Sequence, residues 1–137
     1  YWSEAIRDLD VLIARSENFD QGLFFSRAYA KSKIGQSDNA LMDYNTLLSE
    51  NPKYSVALNN RGVIYLERRL YEKAITDFTN GLKSVSSTDT EIRILLHNNK
   101  ASALFSLNRK LEACAEWRKA VALGSSGAQQ QLRYHCK

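Results

Sequence analysis

The stretch Ser55–Thr88, SVALNNRGVIYLERRLYEKAITDFTNGLKSVSST, decides the fold. Apolar residues recur at helical spacing on both sides of a break near Arg68–Leu70, so it reads as two amphipathic helices joined by a tight turn. Counted from Ser55, Gly62 stands at unit position 8, Tyr65 at 11, Ala74 at 20, Phe78 at 24 and Leu82 at 28. The 34 residues before it, Gln21–Tyr54, put Ala28 at 8, Ala40 at 20, Tyr44 at 24, Leu48 at 28 and Pro52 at 32. Downstream, Ala101, Leu104, Ala113, Trp117, Ala120 and Val121 fall at 8, 11, 20, 24, 27 and 28. Ala74 to Ala113 is 39 residues, so about five are inserted near Ser84–Arg93.

Small residues at 8 and 20 let two antiparallel helices approach where a leucine would hold them apart. The aromatic at 24 fills the space beside that contact. Positions 20, 21, 24, 27 and 28 trace one helix face. A single hairpin cannot bury that face alone, so units must stack.

These residues carry a resemblance. Ala28, Ala40, Tyr44, Leu48 and Pro52, then Gly62, Tyr65, Ala74, Phe78 and Leu82, then Ala101, Leu104, Ala113, Trp117 and Ala120 are similar to the tetratricopeptide repeat (TPR) pattern, a 34-residue helix–turn–helix unit. The resemblance covers nearly the whole chain and implies an all-α, right-handed α-solenoid with a C-terminal capping helix. Three residues depart from the pattern: Lys31 where an aromatic is usual, His97 in place of a bulky apolar residue, and Gly81 in mid-helix.

Length and composition fit one globular domain of 137 residues, 44% hydrophobic and 25% charged. The net charge of +4 is dispersed along the chain and does not point to nucleic acid. No apolar run reaches the roughly 18 residues that suggest a membrane span. The chain opens on Tyr1 inside an apparent helix, so it is expected to be a fragment of a longer precursor.

Taken in order, residues 1–19 read as a half repeat, 20–53, 54–87 and 88–124 as repeats, the last with the insertion, and 125–137 as the cap. A second-type helix spans Trp2–Arg15, with Ile6, Leu9, Leu12 and Ile13 as an apolar stripe. Asp20 is a candidate N-cap for a helix over Gln21–Ile34 that Gly35 ends. Ser37 is expected to cap Asp38–Glu50, and Pro52 closes the unit. Helices are expected over Tyr54–Arg68 and Tyr71–Lys83. Thr88 with Glu91 fits a capping box for a helix from Asp89 to near Leu107. Lys110–Leu123, a turn over Gly124–Gly127 and a final helix over Ala128–Cys136, with Gln129, Gln130 and Arg133 outward, complete eight helices.

Position 7 is Arg27, Arg61 and Lys100, and position 23 is Asp43, Asp77 and Glu116. A base and an acid therefore recur together, either pairing across the hairpin or with the next unit to fix register, or forming a ladder that faces a ligand.

The resemblance implies a concave groove lined by the first helix of each unit, the A helices. Its positions fall on Phe25, Tyr29, Asn59, Asn60, Val63, Leu66, Asn98, Asn99, Ser102 and Phe105. Asparagine has donors and an acceptor that can hold an extended backbone without choosing its sequence, and Phe25 and Tyr29 give rigid apolar area. The other reading of Asn60 and Asn99 is that they brace neighbouring helices. Some members of the family grip a C-terminal carboxylate with Lys and Asn; here the corresponding residues are Phe25, Tyr29, Asn60, Leu95 and Asn99, so such a clamp is not expected. The expected partner is a protein or peptide segment.

Cys114 and Cys136 allow one disulfide or none. They stand at position 21 of the last repeat and position 9 of the cap, levels that antiparallel neighbours bring close. A bridge implies an oxidising compartment and free thiols a cytoplasmic one. The Cys114, Trp117, Leu123-Gly124, Cys136 ending resembles that of some bacterial TPR proteins. His97 reads as a helix-interface residue, and His135 beside Cys136 diverges from it by about 100° of helix. There is no phosphate loop, HExxH or Ser-His-Asp pattern, so no catalytic residue, metal ligand or cofactor is expected. The expectation is a non-catalytic scaffold; the alternative is a self-association module, a homo-oligomer stacking through the N-terminal helix.

Overall fold

A computed structural model describes all 137 residues as eight α-helices and no strand. The first compact unit is Tyr1–Pro52 and the second is Lys53–Lys137.

In the first unit, α1 (Trp2–Arg15) packs on α2 (Gln21–Lys33), and α2 packs on α3 (Ser37–Glu50). Asp20 starts α2 as its sequence suggests: one carboxylate oxygen accepts from the backbone N–H of Gly22 and Leu23 at 2.8 and 3.2 Å. Ala28, Ala40, Tyr44 and Leu47 are all fully buried. The edge of the Phe25 ring meets Tyr44, with centroids 6.2 Å apart. Helix α1 buries no residue completely. Its expected stripe is only partly open: Ile6, Leu9 and Ile13 are half-buried, and Leu12 with Val11 is left about half exposed.

In the second unit, α4 (Ser55–Glu67) pairs with α5 (Tyr71–Ser84), and α6 (Thr90–Ser106) pairs with α7 (Lys110–Ala122). Helix α6 also lies against α4 and α5, and α8 (Ser126–His135) covers α7. Two glycines mark the tightest contacts. A Cβ on Gly62 would stand 2.5 Å from the Phe78 ring, and one on Gly81 would stand 2.7 Å from Leu96. The mid-helix Gly81 is thus required by the approach of α6. Phe78 and Leu96 are fully buried with Ala74 and Ala103, and a second cluster joins Ala101, Leu104, Ala113, Trp117, Ala120 and Ala128.

One turn closes α2, α4, α6 and α7. After α2, the Gly35 N–H donates to Ser32 O and the Gln36 N–H to Lys31 O, with Gly35 at φ 77°. Arg69, Asn108 and Gly124 take the same place with φ of 60°, 60° and 102°. This turn corrects the expected cap at Ser37. Gln36 is its last residue and its carbonyl already accepts from Ala40 N–H, so Ser37 is inside the helix. At α6 the cap is Asp89, not Thr88: Asp89 accepts from Ile92 N–H, while the Thr88 hydroxyl is engaged with Ser86. The expected Gly124–Gly127 turn is shorter, because Ser125 accepts from Ala128 N–H and starts α8 at Ser126.

Candidate binding face of the A helices

The recurring base and acid meet across each hairpin. Arg27 holds Asp43 through two parallel bonds, Nε–Oδ2 at 2.9 Å and Nη2–Oδ1 at 2.7 Å. Arg61 does the same to Asp77, both at 2.8 Å. Lys100 Nζ lies 3.5 Å from Glu116. The acids are buried, so these are internal struts and not a ladder offered to a ligand. The hydrogen bonds that the guanidinium groups donate to Asp43 and Asp77 raise their pKa values above the ordinary arginine range, against the effect of burial. Arg27 also donates to Asp10 of α1 at 2.8 Å. Lys31, in place of the usual aromatic, reaches Asp43 at 2.8 Å.

The third strut is larger. Burial disfavours the Glu116 carboxylate, but hydrogen bonds from His97 and Lys119 and the charges of Lys100 and Lys119 outweigh it and lower its pKa to about 2. His97 Nδ1 stands 2.6 Å from Glu116 Oε2. With Glu116 ionised, Nδ1 carries the proton and donates. The polar residue at this packing position is therefore a satisfied strut member, which the sequence reading of His97 as an interface residue anticipates.

On the A helices of the second unit, the asparagines divide. Asn59 is 5% exposed and accepts from Asn99 Nδ2 at 2.9 Å, tying α4 to α6. Asn59 is thereby removed from the open groove, a correction to its expected role, and Asn99 braces it. Asn60 Oδ1 lies 3.4 Å from Asn59 Nδ2. Asn98 donates to Ser125 Oγ at 3.1 Å, and its own oxygen is buried without a partner. Asn98, Ser102 and Phe105 line one wall of a recess of about 420 Å³, with Trp117 also on the lining and Gly127, Gln130 and Gln131 of α8 opposite. No ionised side chain lines it. The His135 ring packs against Phe105 and Trp117, with centroids 4.7 and 6.0 Å apart. The Cys114 and Cys136 sulfurs are bonded at 1.98 Å, which joins α7 to the residue after α8.

A family model described as a tetratricopeptide repeat matches residues 44–76. Tetratricopeptide repeat protein 34 of Xenopus laevis is 28% identical over 87 residues, 64% of this chain and 16% of that protein. Tetratricopeptide repeat protein 6 of Homo sapiens is 40% identical over 50 residues, 36% of this chain and 10% of that protein. The chain is similar to tetratricopeptide repeat proteins. It spans less than a fifth of the curated relatives it matches, 16% and 10% of their lengths. Solved TPR structures share the fold. The N-terminal domain of stress-induced protein-1 from C. elegans superposes with a TM-score of 0.77 at 12% identity, over 85% of this chain and 94% of that one. The Arabidopsis OM64 TPR domain gives 0.72 at 22%, over 84% and 95%. MamA 41-end from Desulfovibrio magneticus RS-1 gives 0.76 at 21%, over 90% and 66%. The TPR architecture is an all-α solenoid that serves as a scaffold for protein–protein interaction.

Of the expected TPR groove residues, Phe25 and Tyr29 belong to the first unit, where their rings stack with centroids 6.4 Å apart and Tyr29 is 38% exposed. In the second unit Val63 and Leu66 are half-buried against the Phe78 cluster, and Ser102 and Phe105 are open to solvent. The reading from sequence missed Gln130, Gln131 and Ser125, because the phase of the repeat alone did not show that α8 forms a wall of the recess. No group of three His, Cys, Asp or Glu residues is placed to hold a metal ion, and no helix is long and apolar enough to cross a membrane.

Proposed function

We propose that this chain is a non-catalytic TPR scaffold that holds a segment of another protein along its A-helix face. One observation carries this reading: the α6–α8 recess is lined by Asn98, Ser102 and Phe105, three residues at groove positions, and faces them with Gln130 and Gln131. Amide and hydroxyl side chains can hold a peptide backbone, and Phe105 adds apolar area. The lining is uncharged, so it fits an uncharged stretch of partner better than a carboxylate terminus.

The experiment is capture of partners by the immobilised chain, comparing wild type with Ser102→Arg and with Leu111→Glu. Leu111 is 88% exposed on α7, the second helix of its repeat (a B helix, as is α3), and serves as the control. The reading expects partners lost with Ser102→Arg and kept with Leu111→Glu. Equal capture by all three contradicts it.

A second reading rests on α1, where Val11 and Leu12 are 47% and 50% exposed. An open apolar strip of this kind suits self-association. Light scattering tests it: a dimer abolished by Val11→Glu with Leu12→Glu supports this reading, and a monomeric wild type removes it.

A further inference from the structure

We propose that the Cys114–Cys136 bridge is a redox latch on α8: oxidised, it holds the wall of the α6–α8 recess in place, and reduction releases that wall. Helix α8 has ten residues, too few to persist in water without support. Its one fully buried residue is Ala128, near its start, and its N-terminal end is fixed again by the Ser125 cap and the Asn98 bond to Ser125. The C-terminal half is held differently. Leu132 is partly buried against the Trp117 cluster, His135 rests on Phe105 and Trp117, and the covalent tie at Cys136 follows. Gln130 and Gln131, which face the recess, sit between the two anchors.

The two sulfurs differ in access. Cys114 is 3% exposed, whereas Cys136 is half-buried at the helix end. A dithiol reductant therefore attacks the Cys136 sulfur. Its thiolate forms a mixed disulfide with Cys136 and expels Cys114 as a thiolate, which takes up a proton. The second thiol of the reductant then closes on the mixed disulfide, releasing Cys136 and leaving a cyclic disulfide. Two electrons and two protons pass to the protein. Cys136 then retains only its partial packing, and the end of α8 frays. Where the groove reading holds, a segment seated in the recess is released on reduction; the latch itself is independent of that reading, since its test follows α8 and not a partner.

The test is amide hydrogen exchange of the full chain, air-oxidised and after treatment with excess dithiothreitol, alongside a Cys114→Ala, Cys136→Ala variant. Emission of Trp117 is followed in a Trp2→Phe background. The latch predicts two thiols titratable only after reduction. It predicts exchange over Gln129–His135 faster by tenfold or more in the reduced chain and in the variant, and Trp117 emission shifted to the red, with α2 to α5 unchanged. Equal α8 exchange in both redox states overturns the proposal. So do two free thiols in the denatured, never-reduced chain, and so does loss of protection spread across α2 to α7.

Discussion

Substituting Gly62 by alanine sets two effects of opposite sign against each other. Alanine is better than glycine within a helix by about 0.8–1.0 kcal/mol. The added methyl, however, would stand 2.5, 2.9 and 3.0 Å from three carbons of the Phe78 ring. That ring is 0% exposed and packs with Ala74, Leu96 and Ala103, with Val63, Tyr65 and Leu66 around it, so it has nowhere to swing. Overpacking costs about 1–3 kcal/mol, and a contact this short on an enclosed ring belongs at the upper end. Net destabilisation of about 2 kcal/mol follows, a fall in Tm of roughly 4–8 °C for a chain of this size. Gly127→Ala is the control, since nothing lies within 4 Å of its added Cβ in α8; there only the propensity gain operates and stability rises by up to about 1 kcal/mol. Urea denaturation of both variants measures the two signs. In a Phe78→Leu background the cost of Gly62→Ala should shrink by about 1 kcal/mol or more, because the two sites are in contact. A Gly62→Ala protein as stable as wild type would refute the claim that this pair sets the closest approach of α4 and α5.

Arg61→Ala leaves the buried Asp77 carboxylate without its two parallel bonds and should cost about 2–4 kcal/mol by urea denaturation, well above the effect of removing the solvent-exposed Arg109 side chain. Glu116 has a pKa lowered to about 2 from 4.5, so its contribution is complete above pH 4.5 and is lost as pH falls towards 2. After allowance for solvent screening this is about 1–2 kcal/mol, and it should be missing from the acid limb of the stability–pH curve of Glu116→Gln. Arg69 closes α4 at φ 60°, a strained conformation for a side-chain-bearing residue. Arg69→Gly should therefore raise stability by about 1 kcal/mol in thermal denaturation, and a loss would show that the arginine side chain contributes more than the strain costs.

Much of the fold was legible because its determinants are periodic. Ala28, Gly62 and Ala101 mark one helix contact, Ala40, Ala74 and Ala113 the other, and an aromatic follows each pair. The struts were legible too, because Arg27, Arg61 and Lys100 recur in phase with Asp43, Asp77 and Glu116. Helix starts were less so. Ser37 and Thr88 have capping chemistry, but the closing turn after α2 and the Asp89 carboxylate decide where the helices begin. The turn itself is concealed at Arg69, which has none of the usual preference for a positive φ. Of the groove residues, Ser102 and Phe105 stand open as their phase suggests. Asn59 does not, because its amide is spent on Asn99, a contact between residues 40 apart in sequence that no local pattern encodes. Lys31 and His97 looked out of place in the repeat only because their partners, Asp43 and Glu116, lie on another helix.

On the function proposed here, the A helices receive a partner and the B helices do not. Chemical-shift mapping with a partner segment recovered by capture tests it most directly, on the oxidised, isotope-labelled chain. Perturbed amides are expected to cluster at Asn98, Ser102, Phe105 and Gln130–Gln131, with Met42 and Leu111 on the B helices silent. Shifts concentrated around Met42 or Leu111, with the recess silent, would contradict it.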